Sequence, residues 1–360
     1  MKKNAKTVYV GVSGGVDSSV SLSILKDEGY DVTGVFIRTW QPDFIDCTMR
    51  DERRDAIRVC AHLGVPFIEI DAERAYKEKV AEYMIDSYKK GETPNPDIYC
   101  NREIKFGIFM DYAMAHGADA IATGHYAQNK KSGTEWKLVP SKDTEKDQTY
   151  FLWKLTQRDL AHTLFPVGHL AKDDVRKLAK KYNLPTATKK DSQGVCMLGN
   201  LDMKDFLGKY IEDTPGDVVT VDGVHVGSHR GARFYTVGER HGFSVTATNP
   251  DQKPFYIVAR DIEKNILVVS DAPETIFAGT VEVQFREVNF IREKINVGQT
   301  IHVRFRHRGV MHEGIVGAVD ADTALITFHG LGKGVDVGQS GVFYHNNECL
   351  GGGIIAKVIV

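Results

Sequence analysis

Three stretches of the sequence gather residue types that do chemistry at close spacing. The first is Gly11-Val12-Ser13-Gly14-Gly15-Val16-Asp17-Ser18-Ser19. Glycines let the backbone turn tightly against a ligand, and the free N–H groups of a following helix attract an anion. Ser18 and Ser19 add hydroxyl donors, and Asp17 is a candidate magnesium ligand beside a phosphate. No Lys follows the glycines, which excludes a Walker-A loop, and the absence of Gly-x-Gly-x-x-Gly argues against a dinucleotide site. The second stretch, Thr93 to Phe106, carries Cys100 behind two prolines, Pro94 and Pro96. Cys100 or Asn101 stands where a helix is expected to begin. That helix start, with Arg102 and Lys105, would lower the pKa of the Cys100 thiol. Asp97, three residues earlier, is close enough to accept or orient a proton. The third stretch, Lys189 to Met197, places Cys196 in a polar, Gly-containing loop with cations. Cys60 and Cys349 lack such settings and read as small buried hydrophobes. Cys47, in an acidic segment after Trp40, is assigned no role.

These residues need a frame to position them. The first ~190 residues alternate strand-like and helix-like patterns, the signature of an α/β domain with a parallel sheet. Strands are expected over Lys6–Val12, Val32–Ile37, Pro66–Ile70 and Asp119–Thr123. Helices are expected over Val16–Glu28, Arg50–Leu63, Glu73–Lys89, Ile104–His116 and Asp173–Tyr182. Ala122-Thr123-Gly124-His125 follows the fourth strand, at the carboxyl edge where open α/β sheets bind ligands. There Gly124 permits close backbone approach to a nucleotide, and His125 is a candidate ligand group. From about Thr214 the texture changes to short β-rich runs between Gly, Asp-Gly and Pro turns, which suggests small barrel-like modules. The expected division is 1–205 for a nucleotide-binding catalytic domain, 206–274 for a small central β-rich domain and 275–360 for a C-terminal barrel-like domain.

Composition bounds the function. The 360 residues include 46 Lys+Arg and 48 Asp+Glu, a net charge of -2, with 42% hydrophobic residues. That fits a globular protein with more than one core and excludes dominant disorder. No apolar run reaches the ~18 residues of a membrane span, and a cytoplasmic protein is expected. The five cysteines contain no Cys-x-x-Cys pair. Neither a structural zinc, an iron–sulfur cluster nor any other permanently bound metal is therefore expected.

Ser13-Gly14-Gly15-Val16-Asp17-Ser18 resembles the pyrophosphate-binding loop of the N-type ATP pyrophosphatases, which cleave ATP to AMP and pyrophosphate. In that superfamily the end of the second strand, here Phe36-Ile37, approaches the adenine. Two candidate reactive thiols beside such a loop suggest sulfur transfer. With Asn95-Pro96-Asp97, Ala122 to Tyr126, Lys146-Asp147-Gln148, Ser192 to Cys196, Tyr235 to Arg240 and Gly338-Gln339, the chain resembles the bacterial tRNA-specific 2-thiouridylases over essentially its whole length. That family's usual Phe after the second cysteine is Met197 here. The resemblance implies ATP and magnesium as cofactors. ATP would be held by Gly11, Val12, Ser13, Gly14, Gly15, Val16, Asp17, Ser18, Ile37 and Gly124, with the magnesium on Asp17. It implies tRNA with a wobble uridine as partner, contacted by Asn95, Pro96, Asp97, His125, Lys146, Asp147, Gln148, Arg304, Phe305, Arg306 and Gln339. It further implies a Cys196 persulfide and a Cys100 nucleophile that form a transient disulfide. Sulfur would come from a cysteine desulfurase or a relay protein, either by persulfide attack on the activated base or as released sulfide.

Local charge supports an RNA ligand. Leu170 to Lys190 holds seven cations, and Arg304, Arg306 and Arg308 would form a basic stripe if they alternate along a strand. Two rival readings fit the sequence less well. An amidotransferase-type synthetase or a tRNA lysidine synthetase leaves Cys196 and the β modules without a task. A non-catalytic tRNA-binding or sulfur-carrier module leaves the intact loop unexplained.

Overall fold

The computed structural model describes residues 5–44, 49–191, 194, 196–199, 202–246, 253–331 and 334–359. Cys47 and, in the second cysteine motif, Ser192, Gln193 and Val195 lie outside the described residues. The chain is α/β, with a parallel sheet followed by two β-rich parts. Strands β1 (Thr7–Gly11), β2 (Asp31–Arg38), β3 (Phe67–Asp71) and β4 (Ala120–Ala122) come close to the expected spans. With Thr163–Leu164 (β7) they form one sheet in the order β3-β2-β1-β4-β7. Strand order reverses direction at β1 and β4, so the crevice above their carboxyl ends is the ligand position that this topology favours. Val8, Val10, Val32 and Val35 are fully or almost fully buried in the sheet. Val8, Val10 and Val32 pack with α1 (Val16–Asp27) and α2 (Met49–Leu63), while Val35 belongs to the other cluster, with Phe106 and Phe109.

Helix α3 spans 73–89 and includes a π-helical turn at Lys77–Ala81. Helix α4 spans 96–115 and begins earlier than the sequence suggested. Asn95 caps it by accepting the Asp97 N–H at 3.1 Å, with Pro96 at the first helical position. This is a favourable start, because Pro lacks only an N–H that the helix leaves unbonded there anyway. Cys100 is therefore one turn inside the helix instead of at its start. From Cys100 to Ile108 the helix is π-helical.

The C-terminal part is a closed barrel. Strands β13 (Thr280–Phe290), β14 (Thr300–Arg304), β15 (Met311–Val319), β16 (Ala324–His329), β17 (Ser340–His345) and β18 (Glu348–Ile359) close through β13–β18 pairing. Phe285, Phe305, Phe328 and Phe343 fill its core. A hairpin from the first part, β5 (Ala127–Ser132) and β6 (Glu135–Pro140), joins the same sheet where Leu138 pairs with Cys349. Its run of Gln, Asn, Lys and Glu hides the alternation that would have marked it as strand. Between the two lies a five-stranded sheet within 216–270, in which Gly216–Thr220 and Ile266–Ser270 pair in parallel.

One buried carboxylate ties the three parts together. Asp336 accepts from Arg260 of the central sheet at 2.8 Å, from the Val237 N–H at 2.9 Å and from Thr93 beside α4 at 3.2 Å. Arg260 also donates to the carbonyls of Tyr235 and Gly91. Both side chains are less than a tenth exposed. Breaking such a pair from one side leaves an uncompensated buried charge. Asp336→Ala is expected to cost about 3–5 kcal/mol in urea unfolding. Wild-type stability in that variant would show that the three parts are held by other contacts.

Candidate active site

The glycine loop leaves the end of β1 and enters α1 as expected. Gly14 has φ 69°, and a Cβ there would sit 2.3 Å from the Glu52 carbonyl, so only glycine fits. The loop is braced by its own hydroxyls. Ser18 Oγ accepts the Ser13 N–H at 3.2 Å, and Ser19 Oγ donates to the Gly15 carbonyl at 2.6 Å. Gly124 closes the opposite wall, where an added Cβ would lie 2.7 Å from the Ser18 nitrogen. This close approach forms a backbone cradle of the kind that receives phosphates. Ile37 lies two residues beyond the β1–β2 ladder, which ends at Gly11 opposite Val35. Val35 accepts the Val12 N–H, and alternate residues of a strand present their backbone groups to the same edge. The Ile37 backbone therefore faces the open edge above the loop, as reading a base edge requires.

Asp17 is engaged in the structure. Lys172, from helix α5 (Lys172–Lys181), donates to both of its oxygens at 2.7 and 2.8 Å, and the Tyr126 hydroxyl donates at 2.8 Å. Lys172 also pairs with Asp191 at 2.9 Å, and Lys146 joins the same carboxylate at 3.1 Å. Burial opposes the Asp191 charge, but hydrogen bonds from Lys172 and Lys146 bring its carboxyl down to about 2. Among the described residues no group of three His, Cys, Asp or Glu side chains forms a metal cage. Asp17 alone fits magnesium that arrives on nucleotide phosphates, once Lys172 gives way.

About a helix turn along α4 the two sulfur atoms meet. Cys100 Sγ and Cys196 Sγ are 3.2 Å apart, as free thiols. The Cys196 loop is pinned from two sides. Its N–H donates to Asp97 at 2.9 Å, and its carbonyl accepts from Tyr76 at 2.7 Å. Met197 follows with φ 64°, a conformation that a bulky residue rarely adopts and that the surrounding bonds must hold. The expectation of a low-pKa Cys100 is corrected here. The hydrogen bond between the sulfurs raises the Cys100 thiol, burial adds to this, and the same bond brings Cys196 down to about 7. Arg102, one of the two cations expected to act on Cys100, is drawn off to Asp159 at 3.2 Å. Burial raises the Asp97 carboxyl. Cys60 and Cys349 are buried, and burial pushes the Cys60 thiol up to about 11 and raises that of Cys349.

The groups singled out for RNA divide. Asn95, Phe305, Arg306 and Gln339 line one cleft of about 120 Å³, with Thr93, Pro94, Tyr150 and His307. Asp147 is buried inside, accepting from Ser141, Thr149 and Arg304. The Phe305 side chain belongs to the barrel core. The Gln148 side chain accepts the Tyr126 N–H at 2.9 Å. His125 is buried between Thr123 and Lys105. The arginine stripe is not formed, because β14 ends at Arg304 and Arg308 sits in a turn with φ 59°. Arg304 turns inward to Asp147, while Arg306 and Arg308 remain exposed. In the basic segment, Lys172 and Arg176 pair with Asp191 and Lys189 with Asp55, which leaves Lys180, Lys181 and Lys190 on the exposed face.

Comparison with known proteins was made against this geometry. Residues 6–200 match the family described as "tRNA methyl transferase HUP domain", residues 204–271 its "PRC-barrel domain", and residues 280–355 an "aminomethyltransferase beta-barrel domain". The chain is 41% identical over 355 residues to the tRNA-specific 2-thiouridylase MnmA of Bacillus subtilis (strain 168), covering 98% of this chain and 95% of that one. It is 42% identical over 353 residues to the protein of the same name from Streptococcus agalactiae serotype III (strain NEM316), covering 97% and 94%.

The chain belongs to the tRNA-specific 2-thiouridylase family.

In this thiouridylase chain the groups that sequence reasoning passed over are Tyr76, Thr123 and Tyr126, together with the pairing of Lys172 to Asp17. Tyr76 and the partners of Asp17 act through contacts more than a hundred residues away, whereas Thr123 lies two residues from the His125 it bonds. The cradle yields a direct test. Gly124→Ala forces a Cβ against the Ser18 nitrogen and is expected to weaken ATP binding about tenfold or more, ~1.4 kcal/mol or above. Calorimetric titration with a non-hydrolysable ATP analogue measures this, and unchanged affinity would place the phosphates elsewhere.

Proposed function

We propose that the protein catalyses ATP-dependent 2-thiolation of the wobble uridine of tRNA, with the residues above in the following roles. The observation that carries this reading is the free Cys100–Cys196 pair at 3.2 Å, in a fold whose crevice also bears the pyrophosphate loop. The uracil 2-oxygen attacks the α-phosphorus of ATP, pyrophosphate leaves, and AMP becomes a good leaving group on C2. Gly11 to Ser18 and Gly124 hold the phosphates, Ile37 meets the adenine, and magnesium enters with ATP at Asp17. Asn95, Pro96 and Asp97 contact the target base. A wobble base must leave its stack to reach a buried thiol, and the cleft beside Asn95, Arg306 and Gln339 suits the splayed anticodon loop.

Cys196, the more acidic thiol, accepts sulfur from a desulfurase or relay protein as a persulfide. Its terminal sulfur adds to C2, and AMP departs with the oxygen. Cys100 then attacks the inner sulfur of Cys196. The sulfur–sulfur bond to the base breaks, its electron pair stays with the new thiocarbonyl sulfur, and a Cys100–Cys196 disulfide forms. Two electrons from an external reductant restore the thiols, as a reducing cytoplasm requires. Release of free sulfide before attack on C2 uses the same two cysteines. Asp97 orients the Cys196 loop through its backbone contact, and burial raises its carboxyl above the ordinary carboxylate range. We take 1–205 as the catalytic unit, with 206–274 and 275–360 as the parts that seat the RNA.

The test is thiolation of unmodified tRNA by purified protein with ATP, magnesium and a sulfur source, with 2-thiouridine and AMP both quantified. Cys100→Ser and Cys196→Ser are expected to give no thiouridine while AMP still forms. Mutants that thiolate as well as wild type would remove the cysteine mechanism, and AMP without thiouridine from wild type would point to another nucleophile. Persulfide loading of Cys196 should rise as pH increases through about 7, because only the thiolate attacks. Mass spectrometry of the loaded protein at stepped pH reads this, and a flat profile would sink the assignment of Cys196 as acceptor.

A further inference from the structure

Lys105 is a cation without a task in the scheme above, and its surroundings give it one. Cys100 and Lys105 are five residues apart on α4. In an α-helix they would be separated by about 140° around the axis. The π-helical stretch Cys100–Ile108 instead closes each turn on the fifth residue, which stacks the two on one face. Lys105 is thereby brought to the side of the sulfur pair, where its charge adds to the hydrogen bond from Cys100 in favouring the Cys196 thiolate, against burial and the Asp97 carboxylate. The other cations nearby are committed to carboxylates: Arg102 to Asp159, Lys79 to Glu103, and Lys146 and Lys172 to Asp191.

The second contact of Lys105 fixes its aim. Its Nζ lies 3.5 Å from His125 Nε2, while His125 Nδ1 lies 2.8 Å from Thr123 Oγ1. Burial and the Lys105 charge together hold the imidazole neutral. With Nε2 accepting from the ammonium, Nδ1–H donates to Thr123, which sets the tautomer from the network. Phe106 and Phe165 pack about the ring and keep it in place. His125 thus holds one side of the Lys105 ammonium.

We propose that Lys105 is a further catalytic residue of the sulfur transfer: the π-helical turn of α4 and the His125–Thr123 contact aim its ammonium at Cys196, so that the sulfur there stays anionic. This rests on the sulfur-carrying role given to Cys196 above. Before loading, the ammonium holds the Cys196 thiolate that accepts sulfur. After loading, the inner sulfur is neutral, and the same charge stabilises the terminal sulfur until C2 takes it. Cys100, stacked beneath Lys105, then loses its proton beside the same cation and attacks. His125, expected from sequence to touch RNA, acts as a positioning residue for the ammonium.

The experiment measures iodoacetamide alkylation of Cys196 against pH, localised by mass spectrometry, in Cys100→Ser protein. No tRNA, ATP or sulfur donor is needed. The alkylation midpoint is expected below that of a free thiol, about 8.5. Adding Lys105→Met should raise it by about one pH unit or more, slowing alkylation at neutral pH about tenfold, while Lys105→Arg should keep most of the depression. An unchanged midpoint in a folded Lys105→Met protein overturns the proposal. Should that variant fail to fold, Cys100→Ala protein alone decides, because it removes the hydrogen bond from residue 100 and burial without a cation only raises a thiol pKa. A midpoint at or above about 8.5 would then overturn it. Absence of thiouridine from wild type with a depressed midpoint would instead remove the functional reading and leave the Lys105–Cys196 interaction standing.

Discussion

A pair of sulfur atoms 3.2 Å apart in an apolar cluster sets the condition that the neighbouring structure meets. Two thiolates that close cannot both exist in a low-dielectric setting, so one proton is shared and one charge remains. That charge needs a fixed partner, and the loop bearing Cys196 needs fixing against a helix it meets only in the fold. Asp97 and Tyr76 hold the loop through its backbone, which leaves the side chain free for chemistry. The cost of a buried anion is offset by Lys105, whose reach depends on the π-helical turn. Such turns are rarer and less stable than α-helix, and their occurrence here places geometry above local propensity.

The nucleotide crevice and the sulfur pair are linked by short covalent paths. Thr123, Gly124 and His125 are consecutive, and they touch the phosphate cradle at Gly124 and the sulfur site's cation at His125. A change in the backbone at Gly124 cannot leave His125 unmoved. The ion-pair cluster of Asp17, Lys172, Asp191 and Lys146 sits at the mouth of the cradle, with Asp191 a few residues before Cys196. Lys172 bridges Asp17 of the loop to Asp191, which joins the loop to the segment that leads to Cys196. The Asp336 knot, the barrel and the β5–β6 hairpin hold the RNA-facing cleft against α4 on the other side.

Much of this was legible in the residues themselves. The parallel sheet, the loop and most helix spans follow from hydrophobic period and turn chemistry, which are local. Cys60 and Cys349 were readable as packing residues because neither sits in a loop that gathers Pro or Gly with cations. The failures share a cause. β14 ends at Arg304, which pairs with Asp147 from far along the chain, so an alternation that looked like an exposed basic stripe splits into one half-buried and two exposed arginines. The acidity of the thiols was assigned to Cys100 from neighbours in sequence. In the fold, Arg102 turns to Asp159, and Cys196 arrives from 96 residues away. The hairpin at 127–140 is polar on its exposed face and becomes a strand pair because an established sheet edge accepts it.

The distribution of charge also orders the chemistry. The hydrogen bond between the sulfurs raises the Cys100 thiol and lowers that of Cys196. In the proposed scheme Cys100 is therefore the poorer nucleophile while Cys196 is empty, and the pair has no sulfur at the persulfide level to attack until Cys196 is loaded. Loading Cys196 removes the charge from its inner sulfur and with it the reason for Cys100 to stay protonated. The thiol that must act second becomes competent only after the first has been filled, and this ordering requires no movement of either element.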